Sequence, residues 1–201
     1  MTMSPHRPRL RSLSLGMLLC VLLLPARAED IDIYGQPNDN SALPNVLFVL
    51  DSSANWSSDI PAANCYFKDN GVVTSNGPKA DNPGQEQGKK MAIEKCALYN
   101  VLDALPVDPS QDADHNALFN VGIMLLNESP DNGAYPRKAF TALTTNNKAA
   151  LKALIRSLTI GGDKGSNADF ARSMYEAYLY FKGMAPYQGA LAPKRDTAAF
   201  S

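Results

Sequence analysis

The 201-residue chain carries 19 Lys and Arg against 20 Asp and Glu, a formal net charge of −1, and 45% of its residues are hydrophobic. That is enough for one domain with a sizeable core. There is no basic footprint of the kind that nucleic-acid binders carry, so nucleic acid is excluded as a partner.

The first 28 residues have Arg7, Arg9 and Arg11, an apolar stretch from Leu13 to Leu24, and then Ala26-Arg27-Ala28. This is the n-region, h-region and small-x-small cleavage site of a secretory signal peptide, so residues 1–28 are expected to be removed on export. The apolar stretch is short for a bilayer span, and Leu19 before Cys20 is not the small residue of a lipobox. Cleavage removes four arginines and no acid, moving the charge from −1 to −5. His6 leaves with it, so His115 is the one remaining histidine, in the polar loop DPSQDADHNALF. A zinc site of several histidines is thereby excluded, and a serine or cysteine hydrolase would depend on that single loop histidine. The remaining cysteines, Cys65 and Cys96, form an even pair in an oxidising compartment and read as a disulfide.

Residues 29–44 are polar and turn-rich, an N-terminal arm. NVLFVL, residues 45–50, is a continuous apolar run of strand length that suits burial on both faces. Residues 52–88 read as a long loop carrying a short helix or hairpin. KKMAIEKCALYNVLDALP is a helix ended by Pro106, with Met91, Leu98, Leu102 and Leu105 along one side and Ala92, Cys96 and Tyr99 beside them. ALFNVGIMLLN is a second buried strand and AYPRKAFTAL a short edge strand. TTNNKAALKALIRSLTIGG begins with capping residues and closes on Gly161-Gly162, a helix with punctuation at both ends. NADFARSMYEAYLYFKG gives a last helix with Phe170, Met174, Ala177, Tyr178 and Phe181 at core spacing, its aromatics Tyr175, Tyr178, Tyr180 and Phe181 read as packing. Residues 186–201 are an irregular tail. The order β, α, β, β, α, α indicates an α/β sheet.

Asp51 falls at the carboxyl end of the first strand, where open α/β sheets place their sites. A dinucleotide site needs G-x-G-x-x-G there, and there is no glycine between Gly35 and Gly71. A phosphatase of the haloacid-dehalogenase type uses a strand-end Asp nucleophile with an acid/base Asp two residues on, and that position is Ser53. An Asp-x-Ser-x-Ser metal site supplies hard oxygens to a divalent cation such as magnesium. Asp51-Ser52-Ser53-Ala54-Asn55 follows this pattern, with Asn55 in place of the last serine.

LPNVLFVLDSSANWS, GKKMAIEKCALYNVLDALP and NADFARSMYEAYLYFKG together resemble the N-terminal von Willebrand factor A-like domain of PilY-type type IV pilus proteins, over residues 29 to about 195. These are exported proteins of pilus biogenesis, tip adhesion and surface sensing. The resemblance implies a Rossmann-like A-type sheet over residues 45–185 and a metal-ion-dependent adhesion site shared by three loops. Asp51 and Ser53 match its first loop and Asn55 departs from it. In the second loop Ala168 stands where a threonine is usual, with Asn167 and Asp169 as substitutes on either side. The third loop and the large C-terminal propeller have no counterpart before Ser201, so a truncated domain is expected. Magnesium or calcium is therefore expected to bind weakly or not at all.

The implied role is binding and assembly without catalysis. The partners are pilus components or a missing C-terminal region, with a surface ligand besides, in the periplasm, at the cell surface or on the pilus. The competing reading is a periplasmic phosphatase-like hydrolase with Asp51 as nucleophile. An A-type sheet places its first strand centrally, so one edge of NVLFVL is expected to lack its neighbour, leaving the isolated chain unstable. Pro186 and Pro193 argue against the tail pairing there as a long strand.

Overall fold

The computed structural model describes residues 43–60, 65–74, 88–126, 133–165 and 169–200. The signal peptide, nearly all of the N-terminal arm, Asn167 and Ala168 lie outside the described residues.

In chain order, β1 is Asn45–Leu50, followed by a 3-10 turn at Ala54–Ser57 and a hairpin of β2 (Lys68–Asp69) and β3 (Val72–Val73). Helix α1 is Lys90–Ala104, β4 is Asn120–Leu126 and β5 is Ala134–Ala142. Then come α2 (Thr145–Ser157), the short α3 (Ile160–Asp163), α4 (Phe170–Phe181) and two 3-10 turns in the tail. The result is a mixed α/β fold. The loop after β1 carries both a short helix and a hairpin, and AYPRKAFTAL forms a nine-residue strand, longer than its sequence suggested.

The main sheet runs β1-β4-β5, with β1 parallel to β4 and β5 antiparallel to it. A parallel pair cannot be closed by a tight turn, so the chain crosses over through α1 between β1 and β4. β4 has neighbours on both sides and is buried along nearly its whole length. Among the described residues β1 pairs with β4 alone, and Val46 to Val49 are half-buried. Both faces of β1 are packed, as the apolar run suggested, but its side chains are only half-buried because the strand lies at an edge of the described sheet. Among the described residues no strand pairs with the outer edge of β1.

Alternation divides β1 between two cores. Val46, Phe48 and Leu50 face the α1/α2 layer, with Val121, Ile123, Leu125 and Trp56. Leu47 and Val49 face α4, with Met124, Leu126, Ala134, Ala177 and Tyr180. Gly122 is a close-approach position: a Cβ there would lie 3.0 Å from Leu47 Cδ1 and 3.2 Å from Phe140 Cδ1. Its bare backbone lets those side chains from the flanking strands close over β4.

Two lysines clamp α1 and α2 reciprocally. Lys95 Nζ donates to Arg156 O and Leu158 O at 2.8 and 2.7 Å, at the carboxyl end of α2. Lys148 Nζ donates to Asp103 O and Leu105 O at 3.3 and 2.5 Å, at the carboxyl end of α1. Each cation satisfies orphan carbonyls at the negative end of the other helix, which requires the pair to run antiparallel. At its start α2 is capped by Thr144, whose side chain accepts from Asn147 N. It stops at Ser157, before the expected Gly161-Gly162. Thr159 is extended and accepts from Gly162 N, starting a new helical turn instead.

Helix α4 corrects a further expectation. Phe170, Met174, Tyr178 and Phe181 are exposed, while Ser173, Glu176, Ala177 and Leu179 are buried. Tyr175 is exposed too, so of the aromatics read as packing Tyr180 best fits the role: it stacks on Phe140 at 4.8 Å and its hydroxyl accepts from Phe140 N. The polar residues set the helix's rotation. Ser173 Oγ donates to Gly133 O, and the Glu176 carboxylate accepts from the backbone N–H groups of Tyr187, Gln188 and Gly189. The tail, irregular apart from its two turns, is thereby anchored. Further along, Asp196 N donates to Pro136 O, and its carboxylate accepts from Ala139 N and Lys138 Nζ, so the tail lines the outer edge of β5. No helix of the described residues is long and apolar enough to cross a membrane.

Candidate functional site

The loop leaving β1 is held from three directions. Ser52, fully buried, donates through Oγ to Leu126 O at 3.2 Å and accepts from Leu126 N at 3.0 Å, tying the loop to the carboxyl end of the parallel strand β4. Gly165 N donates to Ser52 O. Glu94, from α1, accepts from Asp51 N at 3.1 Å and from the buried Trp56 Nε1 at 2.5 Å. Burial raises the Glu94 carboxyl above its ordinary value, opposed by these two donors.

Asp51 stands exposed on this base, its Oδ1 accepting from Ser53 N at 3.1 Å. Ser53 Oγ donates to Asn55 Oδ1 at 3.1 Å. Asp51, Ser53 and Asn55 are thus linked through one short turn. Asp169 is engaged elsewhere: it caps α4 by accepting from Arg172 N and pairs with Arg172 Nε at 3.4 Å. Among the described residues no hydrogen bond or ion pair joins Asp169 to Asp51, Ser53 or Asn55. The oxygens on this turn are one carboxylate, one hydroxyl and one amide, the last two already bonded to each other. That is a thin donor set for a small divalent cation that must be stripped of water.

A second constellation lies where the β2–β3 hairpin meets α1 and α2. The expected disulfide is present between Cys65 and Cys96, with a Cα–Cα distance of 5.9 Å. One turn on, Asn100 accepts from Lys68 N and donates to Tyr66 O. A further turn on, the Asp103 carboxylate accepts from Asn70 N and Gly71 N at 2.9 and 2.8 Å, where Asn70 and Gly71 both have positive φ. Lys152 from α2 bridges Asp69 and Asp103, and Tyr99 OH donates to Asp69. The hydrogen bond from Lys152 holds the Asp69 carboxyl at about 2, well below the carboxylate range. Burial pushes Asp103 up, but Lys152 and the two turn N–H groups outweigh it, so its net shift is downward. Arg156 stacks over Phe67 and Tyr99 at 4.9 and 4.8 Å. This cluster fastens the hairpin to the helices.

Sequence reasoning missed Ser52 and Glu94 as the supports of the Asp51 turn, and Lys95 and Lys152 as buried cations. A signal existed for the α1 pair. Glu94 and Lys95 lie at i+3 and i+4 from Met91, on the side that carries Leu98, so each placed a charge on an apolar stripe. Such a charge needs a partner across the core. No known protein family, no curated protein and no solved structure matches the chain.

Proposed function

We propose that the chain is an exported binding and assembly protein of the type IV pilus system, built on a von Willebrand factor A-like domain. The observation that carries this reading is the Asp51–Asn55 turn. It follows an apolar strand and sits beside the carboxyl end of the parallel β4, pinned by Ser52 to Leu126. The sheet order, with β4 beside β1 and an antiparallel β5 beyond it, supports a Rossmann-like A-type sheet. The Cys65–Cys96 disulfide supports an oxidising compartment such as the periplasm, the cell surface or the pilus. The partners are pilus components or a further C-terminal region, and a surface ligand is met through the exposed Asp51 turn rather than turned over.

The test is deletion of the gene from a piliated host, complemented by wild type or Asp51→Ala. Loss of surface pili or adherence, restored by wild type, is the expected outcome; unchanged piliation and adherence would refute the proposal. Phosphate monoester hydrolysis by the purified chain, abolished in Asp51→Asn, would transfer the site to the hydrolase reading.

A further inference from the structure

Between β5 and α2 lies a cavity of about 470 Å³, within the size range of small-molecule sites. A bulge builds its polar end. Ile123 of β4 is opposite Lys138 and Met124 is opposite Pro136, so Arg137 is the extra residue between them. Side chains of a regular strand alternate between faces. The bulge breaks that alternation and re-aims one of them, so that Arg137 and Lys138, adjacent in sequence, both line the cavity. Ala150, Leu151 and Leu154 of α2 supply an apolar wall, and Asp196 comes from the tail.

The Arg137 side chain is only 24% exposed, and its pairing is incomplete. Among the described residues its buried Nε has no hydrogen-bond partner. The carboxylate it pairs with, Asp163, stands 3.6 Å from Nε. Both oxygens of Asp163 are already engaged, Oδ1 by Lys194 Nζ and Oδ2 by Thr159 N. Lys138, by contrast, is closely paired with Asp196. Arg137, Lys138 and Lys194 thus share Asp163 and Asp196, three cations against two anions. A largely buried cation with so little compensation favours an incoming anion, and the planar guanidinium fork matches a carboxylate.

We propose that this cavity binds a small organic carboxylate, its oxygens on the Arg137 guanidinium and its apolar body against Leu151 and Leu154. A free acid and the C-terminus of a peptide present the same group. This inference does not rest on the pilus reading and uses none of the Asp51 turn.

The test is calorimetry of the exported, oxidised chain with isocaproate and with acetyl-alanyl-leucine, each set against its uncharged amide. At least one carboxylate should bind with a Kd of about 1 mM or tighter, and its amide at least tenfold more weakly. The tighter of the two identifies the source as free acid or peptide terminus. Arg137→Gln should weaken binding at least tenfold, and Arg137→Lys less, because it keeps the charge without the fork. Ala150→Glu alters an exposed, cavity-lining position, so it should leave the fold intact and weaken binding at least tenfold by repulsion. Four results would each overturn the proposal: no binding of either carboxylate at about 10 mM, equal binding of the amides, equally tight binding of inorganic phosphate, or binding indifferent to both Arg137→Gln and Ala150→Glu.

Discussion

Replacing Glu176 tests how the last element of the fold is held. Its side chain is buried and accepts three backbone N–H groups from the tail, Gly189 N at 2.7 Å among them. Two glycines make room for it: a Cβ on Gly133 would lie 2.9 Å from Glu176 Cγ, and one on Gly189 would lie 3.4 Å from Oε2 and 2.7 Å from Ala134 O. Glu176→Ala strips the acceptor from all three donors. A buried donor left unsatisfied costs about 1–3 kcal/mol. Gly189 N counts in full, and Tyr187 N, on a half-exposed residue, counts least. The expected loss is about 2–5 kcal/mol, a large share of the ~5–15 kcal/mol typical of a domain. Glu176→Gln keeps the shape and one acceptor oxygen, so its loss should be roughly half that. Urea unfolding of the oxidised protein gives the magnitudes, and limited proteolysis reports the tail, which should be cut after residue 186 in Glu176→Ala well before global unfolding. An alanine variant within 0.5 kcal/mol of wild type, with an equally resistant tail, would refute the argument.

The hairpin cluster gives stability a definite response to acid. Asp69 and Asp103 both have folded values below their unfolded ones, so their contribution is present above the ordinary carboxylate range and is lost as pH falls through it, for Asp69 toward about 2. Asp69 is partly exposed, and added salt should shrink its share. Lys152→Met should flatten this acid limb of the stability profile, and an unchanged profile would remove the cluster from the account. Reducing Cys65–Cys96, which closes a loop of 31 residues, should cost about 3–4 kcal/mol by the chain-entropy argument. A Cys65→Ser/Cys96→Ser double variant with wild-type stability would contradict that. Calorimetry with magnesium, calcium and manganese should find no binding tighter than about millimolar, given so few anionic oxygens. A micromolar affinity abolished in Asp51→Ala would show the turn to be a working metal site.

Several features were legible in the sequence because they depend on local pattern. NVLFVL and NVGIMLL are long apolar runs, and α1 and α2 carry helical periodicity, although α2 ends at Ser157, before Gly161-Gly162. The cysteine pair followed from counting. Missed features came from tertiary polar contacts that periodicity does not encode. The apolar stripe Phe170-Met174-Tyr178-Phe181 looked like the core face of α4, yet Ser173 and Glu176 found backbone partners in Gly133 and the tail and turned the helix away. NVLFVL signalled burial on both faces, but an apolar run does not encode how deeply a strand at a sheet edge is covered, and Val46 to Val49 stay half-buried. The Asp51 turn could be recognised from its residue types, whereas its supports could not: Ser52 bonds across 74 residues and Glu94 across 43.

The parallel pairing of β1 with β4 also sets a timetable. Asn45 is matched to Asn120, 75 residues further along the chain. At a synthesis rate of about 5–20 residues per second, β1 waits roughly 4–15 s for the strand that completes its hydrogen bonding. For that interval an uncharged six-residue segment of high β-propensity stands without a partner, the composition most prone to intermolecular pairing. Yield should therefore respond to whatever shields nascent apolar strands. Slowing translation between residues 50 and 120 should lower it, and placing a lysine at Asn45, the most exposed position of β1, should raise it.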